Sequence, residues 1–174
     1  KAWQYAEESS RLFGNAKYGY VPGSISSTLE YAYTEWCMAE LAKALGKTSE
    51  EQHYRKLSKS YQHIYDAEHR SFRPKDEKGN FLPWSEKGRL TEGYGSVESN
   101  PFQQGWFVPH DIEGLTQLMG GREKTIEELL DKTLVHHVRR AVSQEDEISI
   151  NTSELPMIDG LDWGYAATHF KDKE

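Results

Sequence analysis

Two glutamates, two glutamines, a tryptophan and a His-Asp pair fall within TEGYGSVESNPFQQGWFVPHD, Thr91 to Asp111. Such a density of side chains suits general acid catalysis. A carboxyl held against apolar rings loses the hydration of its charged form, so its pKa rises and it keeps a proton near neutral pH. Glu98 stands just before Asn100-Pro101, with Phe102, Trp106 and Phe107 close in sequence. Glu92 precedes Gly93-Tyr94-Gly95 and is expected to be more solvated. The plain alternative for Glu98 is an acid at a helix N-terminus, favoured by the helix dipole. His110-Asp111 is a second candidate: Pro109 fixes the chain ahead of it, and Asp111 falls in the first turn of a helix, where an Asp cap is also ordinary. No second histidine stands at ligand spacing on that helix, which weakens a metal reading and leaves metal ligands unassigned. His136 and His137 are adjacent and point about 100° apart on a helix, as surface residues do.

The elements that must position these groups read as helices. KAWQYAEESSRLFG has helical spacing, with Gly14 as a stop. Ser27-Thr28-Leu29-Glu30 reads as a capping box opening TLEYAYTEWCMAELAKAL, which is apolar nearly all round and ends at Gly46. Cys37, within it, is expected to be a buried small hydrophobe. EEQHYRKLSKSYQHIYD reads as one amphipathic helix with Leu57, Tyr61, Ile64 and Tyr65 inward. A short hairpin or loop insertion is expected near 72–82, around Lys78-Gly79-Asn80. Asn100-Pro101 opens a helix that Pro109 stops, and HDIEGLTQLMGG resumes until Gly120-Gly121. EKTIEELLDKTL is amphipathic through Ile126, Leu129, Leu130 and Leu134, and the polar stretch from His136 to the end stays unassigned.

The composition excludes some functions. A net charge of −7 argues against nucleic acid. No run approaches the roughly 18 apolar residues of a membrane span. One cysteine rules out an internal disulfide. Aromatics at 12%, with five Trp and ten Tyr, suit either an aromatic core or the stacking of rings on sugars. No P-loop, dinucleotide-binding glycine fingerprint or serine nucleophile elbow is present. The chain opens at Lys1 already reading as helix, as a piece of a longer protein would.

The strings GYVP, SSTLEYAYTEWCMAELAKALGK, FRP and ESNPFQQGWFVPHDIEGLTQLMGG, between Tyr18 and Glu123, resemble glycoside hydrolase family 92. The resemblance implies a calcium-dependent, exo-acting α-mannosidase, commonly α-1,2-specific, built on an (α/α)6 toroid. It implies an inverting mechanism, with an acid that protonates the leaving oxygen and a base that activates water. The family pattern reads Thr-Glu-Gly-Asn-Ala-Trp-Gln-Tyr-x-Trp-Phe-Val-Pro-His-Asp, and its Glu is the acid. That Glu stands thirteen residues before the Asp, as Glu98 does before Asp111. Glu92 has the matching neighbours Thr91 and Gly93 but the wrong register, so it is the second choice. Val97, Ser99 and Phe102 depart from the pattern's Thr, Gly and Trp.

From the resemblance, Asn100, Gln103, Trp106, His110 and Asp111 line or support the sugar site. A mannose-containing glycan is the implied substrate, and periplasmic or secreted localisation the implied compartment. Calcium would grip the mannose hydroxyls, with ligands largely outside this chain. The family's base motif is absent, so the chain is expected to be a fragment of one helical catalytic domain, 1–174, and inactive alone. A non-catalytic helical sugar-binding or scaffold domain is the alternative. A partial toroid leaves apolar helix faces for the tail from His136, a second copy or the rest of a parent chain to cover.

Overall fold

In the computed structural model, residues 2–129 are described, apart from 14 and 16. The chain divides into two compact units, Lys1–Met119 and Gly120–Glu174. The tail from Leu130, with Leu134, His136 and His137, lies outside the described residues.

The first unit is mainly helical, as the patterning predicts. Helix α1 spans Ala2–Phe13 and α2 spans Ile25–Ala44. The start of α2 falls earlier than the capping box suggests. Ser24 is the N-cap, its extended backbone and side chain satisfying the Ser27 amide at 3.1 Å. Thr28 then bonds back to the Ser24 carbonyl at 2.7 Å and accepts the Val21 amide at 3.0 Å, locking the loop ahead to the first turn. Gly46, at φ +70°, follows the end of α2.

Helix α3, Thr48–Leu57, packs on α2 through Tyr54, Met38 and Ala39, and Arg55 pairs with Glu40 at 2.5 Å. The predicted single helix through Asp66 does not form. Ser58 donates to the Arg55 carbonyl, and a 3-10 turn, Ser60–Ile64, takes over. Three-residue spacing then buries both Tyr61 and Ile64 completely. The aromatic and β-branched run leaves the helix for strand β1, Tyr65–Asp66, which pairs antiparallel with β2, Ser71–Phe72. The hairpin therefore begins before the expected 72–82 window. Within that window, Lys75 bridges Phe81, and Asp76 accepts the Lys78 and Asn80 amides at 2.9 Å each to close the loop.

A 3-10 turn, Gly88–Leu90, leads to the site loop. Helix α4 is four residues, Pro101–Gln104, shorter than the run to Pro109 expected from sequence; Gly105 to Val108 leave it through turns. Helix α5 spans Ile112–Leu118. The core gathers Ile25, Leu29, Tyr61, Ile64, Phe72, Val108 and Leu115, so one cluster ties α2, the hairpin and α5 together. Cys37 is exposed, contrary to expectation. It lies at four-residue spacing with Leu41 and with Leu45, the C-cap residue, and follows Tyr33, which is partly covered by Phe107 and His110; together they form an apolar stripe along α2. In the second unit the described residues form α6, Arg122–Glu127.

Candidate functional site

The loop between the Gly88–Leu90 turn and α4 carries both glutamates. Both are exposed, so Glu98 is not sealed against Phe102, Trp106 and Phe107. Those rings are half-buried, and the last two pack on the main core instead. Phe102 carries the Arg89 guanidinium over its face at 5.3 Å. Glu98 is not a helix cap either. That role belongs to Asn100, whose Oδ1 accepts the Gln103 amide at 3.0 Å, while its Nδ2 donates to Gln103 Oε1 at 3.0 Å. Asn100 and Gln103 thus meet as a closed pair at the mouth of α4.

Glu98 has φ +57°, one of two described non-glycine residues with a positive φ. A left-handed backbone at a residue with a Cβ is unfavourable and persists only where its surroundings impose it. Glu92 supplies one restraint: its Oε1 accepts the Glu98 amide at 3.3 Å. The two glutamates that compete in the sequence therefore belong to a single turn. Gly95 anchors the same loop to α2, its carbonyl accepting the Ile25 and Ser26 amides at 2.6 and 3.1 Å. Its φ of +77° and the Pro74 side chain 3.1 Å from where a Cβ would sit both demand glycine.

Asp111 caps α5 through the Gly114 amide at 3.2 Å. Its other oxygen is held by the Lys59 ammonium and the Tyr61 hydroxyl. Although burial opposes its charge, Lys59 and Tyr61 keep the Asp111 carboxyl below the usual carboxylate range. Burial, then the Asp111 hydrogen bond, push the Tyr61 hydroxyl far up. A Cβ on Gly114 would collide with both Asp111 and the Tyr61 hydroxyl, so the pair fits only over a glycine.

His110 donates from Nε2 to the Ser58 carbonyl at 2.8 Å and sits among Tyr33, Trp36 and Tyr61, with centroids 6.0 to 6.4 Å away. Burial pushes its pKa down, against the Ser58 hydrogen bond and the Asp111 charge. Its Nδ1 is buried without a partner among the described residues, as is Trp106 Nε1. His110 and Asp111 come together with Lys59 and Tyr61; Glu98, Asn100 and Gln103 form a second group on the loop and α4.

The sequence reading passed over Glu35. It is 1% exposed, on the inward seam of α2 with Thr28, Ala32, Ala39 and Ala42. Burial raises its carboxyl to about 7, against the pull of the Asn15 backbone and side-chain amides at 3.0 and 3.2 Å. It borders a cavity of about 240 Å³ that Tyr5, Ala6, Tyr31, Thr34 and Met38 also line. The signal was available: an acid in step with small residues three and four apart.

One cluster of metal-ligating groups occurs among the described residues: Asp66, Glu68 and His69, within 4.8 Å of one another. It does not fit calcium, which takes six to eight oxygens. Asp66 Oδ2 already binds Arg73 Nη1 at 2.7 Å and His69 Nδ1 at 2.9 Å, and Oδ1 accepts the Glu68 and His69 amides. Burial works against its charge, but Arg73 and His69 hold the Asp66 carboxyl below its usual range. This is a knot that fastens the hairpin.

The family model for the glycosyl hydrolase family 92 catalytic domain matches residues 2–157, extending the quoted strings in both directions. The chain belongs to this family. It is similar to the solved structure of a family-92 inverting mannosidase from Bacteroides thetaiotaomicron: 36% identity, TM-score 0.63, covering 67% of this chain and 16% of that one. An α-mannosidase of the same family and organism, solved with mannoimidazole, is 28% identical with a TM-score of 0.65, covering 76% of this chain and 20% of that one. An uncharacterised secreted glycosidase of Arthroderma benhamiae is 31% identical over 134 residues, 64% of this chain and 17% of the relative. The family-92 chain described here thus spans between 16% and 20% of the length of these relatives. It corresponds to part of the family's catalytic domain.

Proposed function

We propose that the chain is part of the (α/α)6 toroid of an α-mannosidase that hydrolyses terminal α-linked mannose with inversion, and that Glu98 is its proton donor. The observation that carries this reading is the likeness to an inverting mannosidase at 36% identity. The mannoimidazole complex of a second relative supports a mannose-containing glycan as substrate. The secreted glycosidase among the relatives supports an exported, periplasmic or secreted protein, and among the described residues no helix is long and apolar enough to cross a membrane.

In this reading Glu98 delivers its proton to the leaving oxygen from the loop ahead of α4. Asn100 and Gln103 line the sugar site beside it, and Trp106, His110 and Asp111 line or support that site. The base and most of the calcium ligands come from outside this chain, and the isolated chain is inactive without them. The exposure of Glu98 favours a second reading, in which this chain is a helical scaffold that binds sugar without acting on it.

The test is mannose release from an α-1,2-mannobioside, with calcium and with chelator, by this chain, by the complete catalytic domain, and by Glu98→Gln and Glu92→Gln in each. The expected result is calcium-dependent release by the complete domain only, abolished by Glu98→Gln. Release that survives Glu98→Gln would transfer the acid role elsewhere.

A further inference from the structure

We propose that Ser26 and Gln104 form a clamp that positions Glu98. The inference rests on Glu98 being the proton donor and adds which residues hold it in place. Ser26 is buried in the first turn of α2, and Gln104 is the last residue of α4. The Val97 amide donates to Ser26 Oγ at 2.9 Å, and Ser26 Oγ donates to Gln104 Oε1 at 3.4 Å. Ser99 Oγ donates to the same Gln104 oxygen at 2.8 Å. The two chain neighbours of Glu98 are thus joined through one closed run of hydrogen bonds to the first turn of α2 and the last residue of α4.

Glu98 lies inside this bracket with its left-handed backbone, and the Glu92 carboxylate takes its amide. Its own carboxylate has no partner among the described residues. The backbone is fixed from both sides while the side chain is left free. A proton donor needs that combination, because its origin must not wander while its carboxyl meets the leaving oxygen. A turn with only a folding role would be met more cheaply by glycine or asparagine at the left-handed position.

A general acid matters most when the leaving group is poor. In the complete catalytic domain, Gln104→Met should lower kcat/KM about 10- to 100-fold on an α-mannobioside, and by less than about threefold on a dinitrophenyl α-mannoside. Gln104→Glu keeps an acceptor oxygen for both serines and should stay within about threefold of wild type on both substrates. Ser26→Ala should reproduce the split by releasing Val97, and it carries the test should Gln104→Met not fold. Glu98→Gln sets the scale and should show the same split in stronger form. Equal losses on the two substrates, or wild-type rates for both Gln104→Met and Ser26→Ala beside a split for Glu98→Gln, would overturn the clamp alone. A Glu98→Gln enzyme without the split would remove the proton-donor assignment and the clamp with it.

Discussion

In the middle of α2, Glu35 is buried, satisfied by both amides of Asn15, and raised to about 7. In the loop ahead of α4, Glu98 is exposed, held only through its backbone, and left-handed. Each has one of the two properties that acid catalysis is usually credited with. Glu35 has the desolvation, and Glu98 has the preorganised address. The difference teaches that a perturbed carboxyl and a positioned one can be separate residues. In an interior seam, perturbation by itself signals packing as readily as chemistry.

Substitution can break this comparison outright. Glu98→Gln in the complete catalytic domain should cost about 10²- to 10⁴-fold in mannobioside hydrolysis with little change in melting temperature. A large loss in Glu35→Gln and none in Glu98→Gln would reverse the roles. The next effect is on stability and belongs to Glu35. Its folded pKa of about 7 lies above the ordinary 4.5, so the folded state binds its proton more tightly. The stabilisation is complete below about pH 4.5 and is lost as the pH rises through 7, up to about 3 kcal/mol in all. Denaturant melts at pH 5 and 8 should show that slope in the wild type and a flatter one in Glu35→Gln.

Two smaller effects sharpen the contrast between the loop and its support. Tyr61→Phe removes one of the two groups holding Asp111 Oδ2 and should destabilise the chain by about 1–3 kcal/mol. Nuclear magnetic resonance titration should find the Asp111 carboxyl moved upward. Asn100→Ala removes the α4 cap and should cost about 1 kcal/mol in a thermal melt. If the loss is indistinguishable from zero, α4 is held by its neighbours and not by its cap.

Sequence alone reached the elements whose signals are local. Asn100-Pro101 fixed the start of α4, Asp111 that of α5, and Gly46 the end of α2, because each is a cap whose chemistry lies within a few residues. Register against the family pattern chose Glu98 over Glu92, yet could not say that the two share a turn. The failures were non-local. Ser24, not Ser27, caps α2 because the incoming loop is drawn onto Thr28 by the Val21 amide. The helix expected through Asp66 ends at Leu57 because the core wants Tyr61 and Ile64 on the same side as Leu29. Of the rings that were to desolvate Glu98, Trp106 and Phe107 turn instead into that core, and Phe102 faces Arg89. Ser26 and Gln104 were invisible because they meet only in space, 78 residues apart in sequence.

The apolar stripe of α2 also makes the molecule easy to interrogate. Its Cys37 is the sole thiol in the chain and is exposed. A maleimide dye would therefore attach at one address, beside Tyr33 and Leu41. Its labelling rate becomes a footprint of whatever covers that face: fast in the isolated chain, slow wherever another surface lies over α2, and readable before any assay for sugar release exists.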